Sequence, residues 1–140
     1  MKSIILLLLA STLFISNSAF ANLLAVDKGF ARATPPHAKN GAAFMMIHNA
    51  AKNDINLIAA SSDIAERVEL HNHVMQDGLM KMRQVKQISI PAGGQQKLQP
   101  GGYHIMFLHL KQQLKDGESV AIQLHFDNGE ILSVTLPIKK

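Results

Sequence analysis

The stretch Arg67–Val85, RVELHNHVMQDGLMKMRQV, decides the fold. Apolar side chains fall on alternate positions at Val68, Leu70 and Val74, with Asn72 as the gap, and Asp77-Gly78 separates this run from a second short one. Alternation of period two marks a strand, and an Asp-Gly pair between two such runs marks a two-residue hairpin loop. With that loop, Gln76 faces Leu79, and the register follows: Met75 opposite Met80, His73 opposite Met82, His71 opposite Gln84. His71, His73, Met75, Met80 and Met82 then share one face. His71 lies diagonal to Met82 at roughly 7–8 Å, close enough for two long side chains to meet at one ion. The opposite face holds Val68, Leu70, Val74, Leu79 and Val85, but also Lys81 and Arg83. A bulge or longer loop would slip the register by one residue and send the methionines of the second strand to that other face.

Outward from the hairpin, short alternating runs continue with no repeat or low-complexity segment. Strands are predicted near Ala25–Ala33, Ala42–His48, Ile55–Ala60, Arg67–Met75, Leu79–Val85, Gln87–Ile90, Tyr103–Leu110, Ser119–Phe126 and Glu130–Ile138. Eight or nine short strands imply an all-β sandwich or barrel. The one helical candidate is a single turn near Ser62–Glu66, with Ser61 or Ser62 as its N-cap. Turn chemistry agrees: Thr34-Pro35-Pro36, Pro91-Ala92-Gly93-Gly94 and Pro100-Gly101-Gly102 break the runs, and Asn128-Gly129 suits a type I′ hairpin.

Residues 1–21 read as a signal peptide, with Lys2 as the charged start, Ile4–Ala10 as the apolar run and Ala19-Phe20-Ala21 as a small-x-small cleavage site. The run is short for a spanning helix, which needs about 20 apolar residues, and Ser16, Asn17 and Ser18 interrupt it, so no stable membrane insertion is expected after cleavage. Residues 22–140 then form a single domain in the periplasm. The chain has no cysteine, so neither disulfides nor thiolate metal sites are available to it. A net charge of +4, scattered along the chain, outlines no nucleic-acid groove.

All seven histidines and six of the seven methionines fall after residue 21, which points to metal chemistry. A second chelating unit follows Pro100-Gly101-Gly102: in Tyr103-His104-Ile105-Met106-Phe107, alternation turns His104 and Met106 to one face. Thioethers favour Cu(I), imidazole accepts copper in either state, and hard ions want oxygen ligands that these segments scarcely offer. Methionine has no proton to lose, so such a site needs only its histidines neutral. A lone methionine in a strand packs into the core by default, and Met45 and Met46 are read that way. Met75 and Met80 are read as packing or hairpin-surface residues, with a flexible role in copper uptake as the other reading. His37, His48, His109 and His125 are read as structural or exposed.

The spacing His71, ten residues, Met82, twenty-one residues, His104, one residue, Met106 resembles the periplasmic copper chaperones of the PCuAC type. So do the words Val68-Glu69-Leu70-His71, Gly78-Leu79-Met80-Lys81-Met82-Arg83, Ile90-Pro91-Ala92-Gly93-Gly94, Leu98-Gln99-Pro100-Gly101-Gly102 and Leu114-Lys115-Asp116-Gly117. The resemblance implies a cupredoxin-like β-barrel and one Cu(I) held by His71, Met82, His104 and Met106. It also implies delivery toward the dinuclear copper centre of cytochrome c oxidase subunit II, or exchange with a thiol-based copper assembly factor. The carrier itself is expected to be a monomer. Two departures stand out: Phe30 replaces an expected tryptophan, and no His/Met-rich tail follows Pro137-Ile138-Lys139-Lys140. The hairpin geometry nominates His73 where the resemblance nominates His71, so His73 is an auxiliary or alternate ligand.

Other classes fare less well. A blue-copper redox site needs a cysteine thiolate, and the nearest acids, Glu69 and Asp77, form no catalytic pair, so no enzyme is expected. A copper storage or tolerance protein, or a metal-free β-sandwich that binds a partner, are the alternatives.

Overall fold

The computed structural model describes residues 22–140; the leader and its cleavage site lie outside the described residues. Among these there is no helix, and ten strands run in order: β1 Leu24–Arg32, β2 Asn40–Asn49, β3 Ile55–Ser61, β4 Ala65–Gln76, β5 Leu79–Gln84, β6 Ile88–Ile90, β7 Gln95–Leu98, β8 His104–Leu110, β9 Ser119–Phe126 and β10 Ile131–Lys139. Hydrogen bonding orders them β5-β4-β8-β2-β1-β10-β9-β3-β6, with β7 beside β2. All pairings are antiparallel except a short parallel contact of β1 with β10, where Ala31 faces Ile138.

Alternation sorts each strand into a core face and an outer face. In β9, Val120, Ile122, Leu124 and Phe126 are buried, while Ser119, Ala121 and Gln123 are exposed. These meet Ile47, Leu57, Ile105 and Phe107, all fully buried. Burial of this apolar surface, at about 25 cal/mol per Å², is what holds a domain without disulfides together. Met45 joins the core at 1 % exposure, whereas Met46 is only half-buried.

Three local expectations are corrected. β7 was not foreseen: its sequence, Gln95-Gln96-Lys97-Leu98, carries one apolar residue, and it is a strand because β2 offers Met45–His48 as partners. The segment near Ser62–Glu66 is a tight turn at Asp63-Ile64 rather than a helical turn, and β4 already begins at Ala65. Ser62 Oγ accepts from the Ile64 N–H and donates to the Ala121 carbonyl, so the hydroxyl anchors the turn to β9 instead of capping a helix. At Asn128-Gly129 only the glycine has positive φ, 87°. The Phe126 N–H bonds Glu130 O and the Gly129 N–H bonds Phe126 O. This is a three-residue loop with a bulged glycine, not a type I′ turn.

At Asp77-Gly78 the expectation holds. Both φ values are positive, 51° and 74°, as a type I′ turn requires. The register is Gln76 to Leu79, Met75 to Met80, His73 to Met82 and His71 to Gln84. The mixed back face is explained by position: β5 is the outermost strand of its sheet, so Lys81 and Arg83 reach solvent beyond the core, and Arg83 donates to Gln76 Oε1 at 2.8 Å.

Candidate metal centre

β8 lies between β4 and β2, which sets the two chelating segments side by side. His104 faces His71 across β8 and β4, and Met106 faces Glu69 on one side and Ala42 on the other. With His73 opposite Met82 on β5, every histidine and methionine nominated from the sequence falls on one face of β5-β4-β8. The rings of His71 and His73 stand 5.7 Å and 5.1 Å from that of His104, and Phe44 closes the far side at 6.2 Å.

His104 is the most buried of these groups, at 1 % exposure. The turn before β8 positions it: Gly101, at φ 84°, lets the chain reverse, and the Gly102 carbonyl accepts the Nδ1–H of His104 at 3.0 Å. That bond fixes the tautomer and leaves Nε2 as a bare lone pair, buried and without a partner. Burial holds the His104 imidazole below its ordinary pKa; the Gly102 bond opposes this, and the nearby His73 and His71 add to it.

His71 is fixed from the other side. Its Nε2–H donates to Glu69 Oε2 at 2.7 Å, and Glu69 Oε1 accepts from Arg67 Nε at 2.9 Å. A carboxylate can only accept, so the proton sits on Nε2, and Nδ1 is left bare and unpartnered. The His71 bond is the main reason Glu69 lies below the usual carboxylate range; burial opposes it and Arg67 reinforces it. Nδ1 of His73 is likewise buried without a partner. Three imidazole nitrogens thus lie out of water with nothing to bond, an arrangement that costs free energy unless an acceptor of lone pairs is bound.

The thioethers of Met82 and Met106 share the sheet face of these rings by register. Met82, 39 % exposed, and half-buried Met106 line one shallow groove of about 250 Å³ with Arg32, Thr34 and Ala42. Among the described residues no three His, Asp or Glu side chains form a group that could by themselves hold a metal ion. Thioether sulfur beside imidazole nitrogen is a donor set that suits soft metals. A larger cavity, about 650 Å³, lies at the other end of β8, lined by His37, Lys39, Lys111 and Lys115 among others, and takes in none of the candidate ligands.

Glu69 was missed as a functional residue in the sequence, where it counted only as a failed catalytic acid. Its signal was available: position 69 is two before His71 and so on the same strand face. Phe44, whose ring packs 5.3 Å from Phe30 and carries Arg32 at 5.6 Å, carried no sequence signal for the site.

This topology matches solved copper-protein domains. A copper-bound PCuAC domain from PmoF2 superposes with a TM-score of 0.71 at 16 % identity, covering 84 % of this chain and 92 % of that one, a likeness of fold. Apo-DR1885 from Deinococcus radiodurans is 30 % identical with a TM-score of 0.66, covering 100 % of this chain and 94 % of its own. Cu(I)-DR1885 is also 30 % identical, with a TM-score of 0.69 and coverages of 89 % and 83 %. The fold is therefore the cupredoxin-like β-domain of the PCuAC class. The chain belongs to the LpqE-like family, a family named for a lipoprotein, whose model matches residues 24–138. Lxx21020 of Leifsonia xyli subsp. xyli (strain CTCB07), also classed by name among lipoproteins, is 34 % identical over 99 residues. That alignment takes in 70 % of this chain and 60 % of the relative, so the chain spans about three fifths of that protein's length.

Proposed function

We propose that this chain is an exported copper carrier, not an enzyme, that holds one Cu(I) with His71, Met82, His104 and Met106, with His73 as an auxiliary ligand. The observation that carries this reading is the convergence of buried, partnerless imidazole nitrogens with two thioethers on one sheet face. The DR1885 structure in its Cu(I) form, from a protein 30 % identical, supports the choice of ion. The lipoprotein names of the relatives support export, which the leader over residues 1–21 would direct, leaving 22–140 as the periplasmic domain.

The chemistry is ligand exchange. His104 arrives with its lone pair aimed and its tautomer set by Gly102, and His71 is held the same way by Glu69. Burial disfavours the protonated form of His104, and the methionines have no proton to shed. Met82, the most exposed of the four, is the ligand a partner would displace first, as monomeric carrier and partner share the ion before it moves on. By family resemblance the receiver is the copper site of cytochrome c oxidase subunit II or a thiol-based assembly factor.

Competition with a Cu(I) chelator tests the reading. One equivalent is expected to bind tightly, and X-ray absorption should count one or two nitrogens and two sulfurs. Failure to compete, or unchanged binding in the double variant Met82→Leu/Met106→Leu, would sink it.

A further inference from the structure

Four of the seven large apolar side chains that stand exposed among the described residues belong to one hairpin: Met75, Leu79, Met80 and Met82. Three of the four are thioethers. Met75 and Met80 face each other directly across β4 and β5, 66 % and 57 % exposed, on the face that carries His73 and Met82 one rung further in. A type I′ turn with positive φ at both Asp77 and Gly78 locks that pairing. Exposed apolar surface on a solvated hairpin has no packing role to justify it, and leucine or a polar residue would complete the strand equally well. What methionine adds is a soft sulfur on a flexible stem.

We infer that Met75 and Met80 form a second, transient Cu(I) site at the hairpin tip, which receives the ion and passes it inward to His73 and Met82. The inference rests on the copper-carrier reading for the destination of the ion, though not for the binding at the tip. Successive same-face rungs of a strand lie about 7 Å apart. Two thioethers at one rung and an imidazole and thioether at the next can therefore share an ion through their side-chain reach. In the transfer, bonds from copper to Met75 and Met80 sulfur break as bonds to His73 Nδ1 and Met82 sulfur form. The ion stays Cu(I), with no proton or electron exchanged. His73 is suited to the middle step, with its Nδ1 buried and without a hydrogen-bond partner and its ring 5.1 Å from that of His104. With two exposed sulfurs and no buried nitrogen, the tip binds more weakly than the inner site, so the ion runs downhill.

Methyl-labelled methionine NMR of the chain from residue 22 onward, titrated anaerobically with Cu(I), reads each sulfur separately. The expected order is Met82 and Met106 methyls shifting up to one equivalent, then Met75 and Met80 shifting together toward a second, at least tenfold weaker. Met45 in the core is the unmoved control. The variant Met75→Leu/Met80→Leu keeps the tip apolar; it should hold the first equivalent with affinity within twofold of the parent and load from a chelator donor at least tenfold more slowly. Met75 and Met80 methyls that never move, or a variant that loads at the parent rate, overturn the inference; the latter would leave the tip as an apolar docking surface only. If Met75 and Met80 shift while Met82 and Met106 do not, the inner four-residue site fails and the tip as a binding site stands. The reverse pattern removes the tip alone.

Discussion

Glu69 accepts the Nε2–H of His71 and so decides which nitrogen of that ring is left for a metal. Carboxylate partners of this kind orient metal-binding imidazoles, and their loss commonly costs about 10–100-fold in affinity. Glu69→Ala is expected to weaken Cu(I) binding by about tenfold or more, while Glu69→Gln, whose amide oxygen still accepts from Nε2–H, should recover most of it; chelator competition on both variants measures this. The depressed pKa of His104 makes a second prediction at this scale. Its reference value is 6.5, so below that pH the unfolded chain takes up a proton that the folded chain refuses. Stability of the metal-free domain should therefore fall as pH drops through 6.5 toward the folded value, and flatten once His104 is charged in both states. Glu69 adds a loss of the same sign at lower pH, as pH drops from its reference value of 4.5 toward its depressed folded value and the unfolded chain takes up a proton first. Thermal melts across this range should show a shallower slope near pH 6 in His104→Leu than in the parent.

Among the elements, the β4–β5 hairpin carries two of the four proposed ligands, and its outer strand β5 contributes no buried side chain to the core. Its register depends on Asp77 and Gly78 holding positive φ. No neighbour lies within 4 Å of where a Cβ on Gly78 would stand, so Gly78→Ala would cost backbone strain alone, about 1–2 kcal/mol. Denaturant melts should report that loss, and Cu(I) affinity should fall with it as the Met82 rung frays from His73. This hairpin was legible in the sequence because its two signals, alternation and an Asp-Gly turn, act between residues a few positions apart. β7 was not legible, because four residues with one apolar side chain have no strand signal of their own; β2 supplies it. The same holds at Ser62, a good helix cap by type, whose hydroxyl instead donates to β9, fifty-nine positions away in sequence. Local propensity yields when a long-range partner satisfies the same group.

At the scale of the whole molecule, the proposed metal site and the far core can be probed separately. The proposed ligands belong to β4, β5 and β8, while Leu124, fully buried, lies on β9 in the far half of the sheet order. Leu124→Ala should lower stability by about 2–5 kcal/mol and leave Cu(I) affinity unchanged, as titration of the folded variant would show. Copper bound only to the folded state should raise stability of parent and variant alike, by about 2.7 kcal/mol when free Cu(I) is buffered at a hundred times its dissociation constant. Equal upward shifts in buffered thermal melts are the expected outcome. With no cysteine in the chain, that increment comes from a site and not from a cross-link.

The chain's amino-acid order by itself determined the all-β architecture, the hairpin register and the identity of the soft side chains, because alternation, turn geometry and ligand chemistry are properties of neighbours. Only the tertiary structure decided that β8 inserts between β4 and β2, that His71 and His73 both stand beside His104, and that Glu69 and Gly102 occupy one nitrogen of each ring they bond. Those facts depend on which strands meet after long loops close. No local pattern encodes that, since the core that drives the closure is assembled from every strand at once.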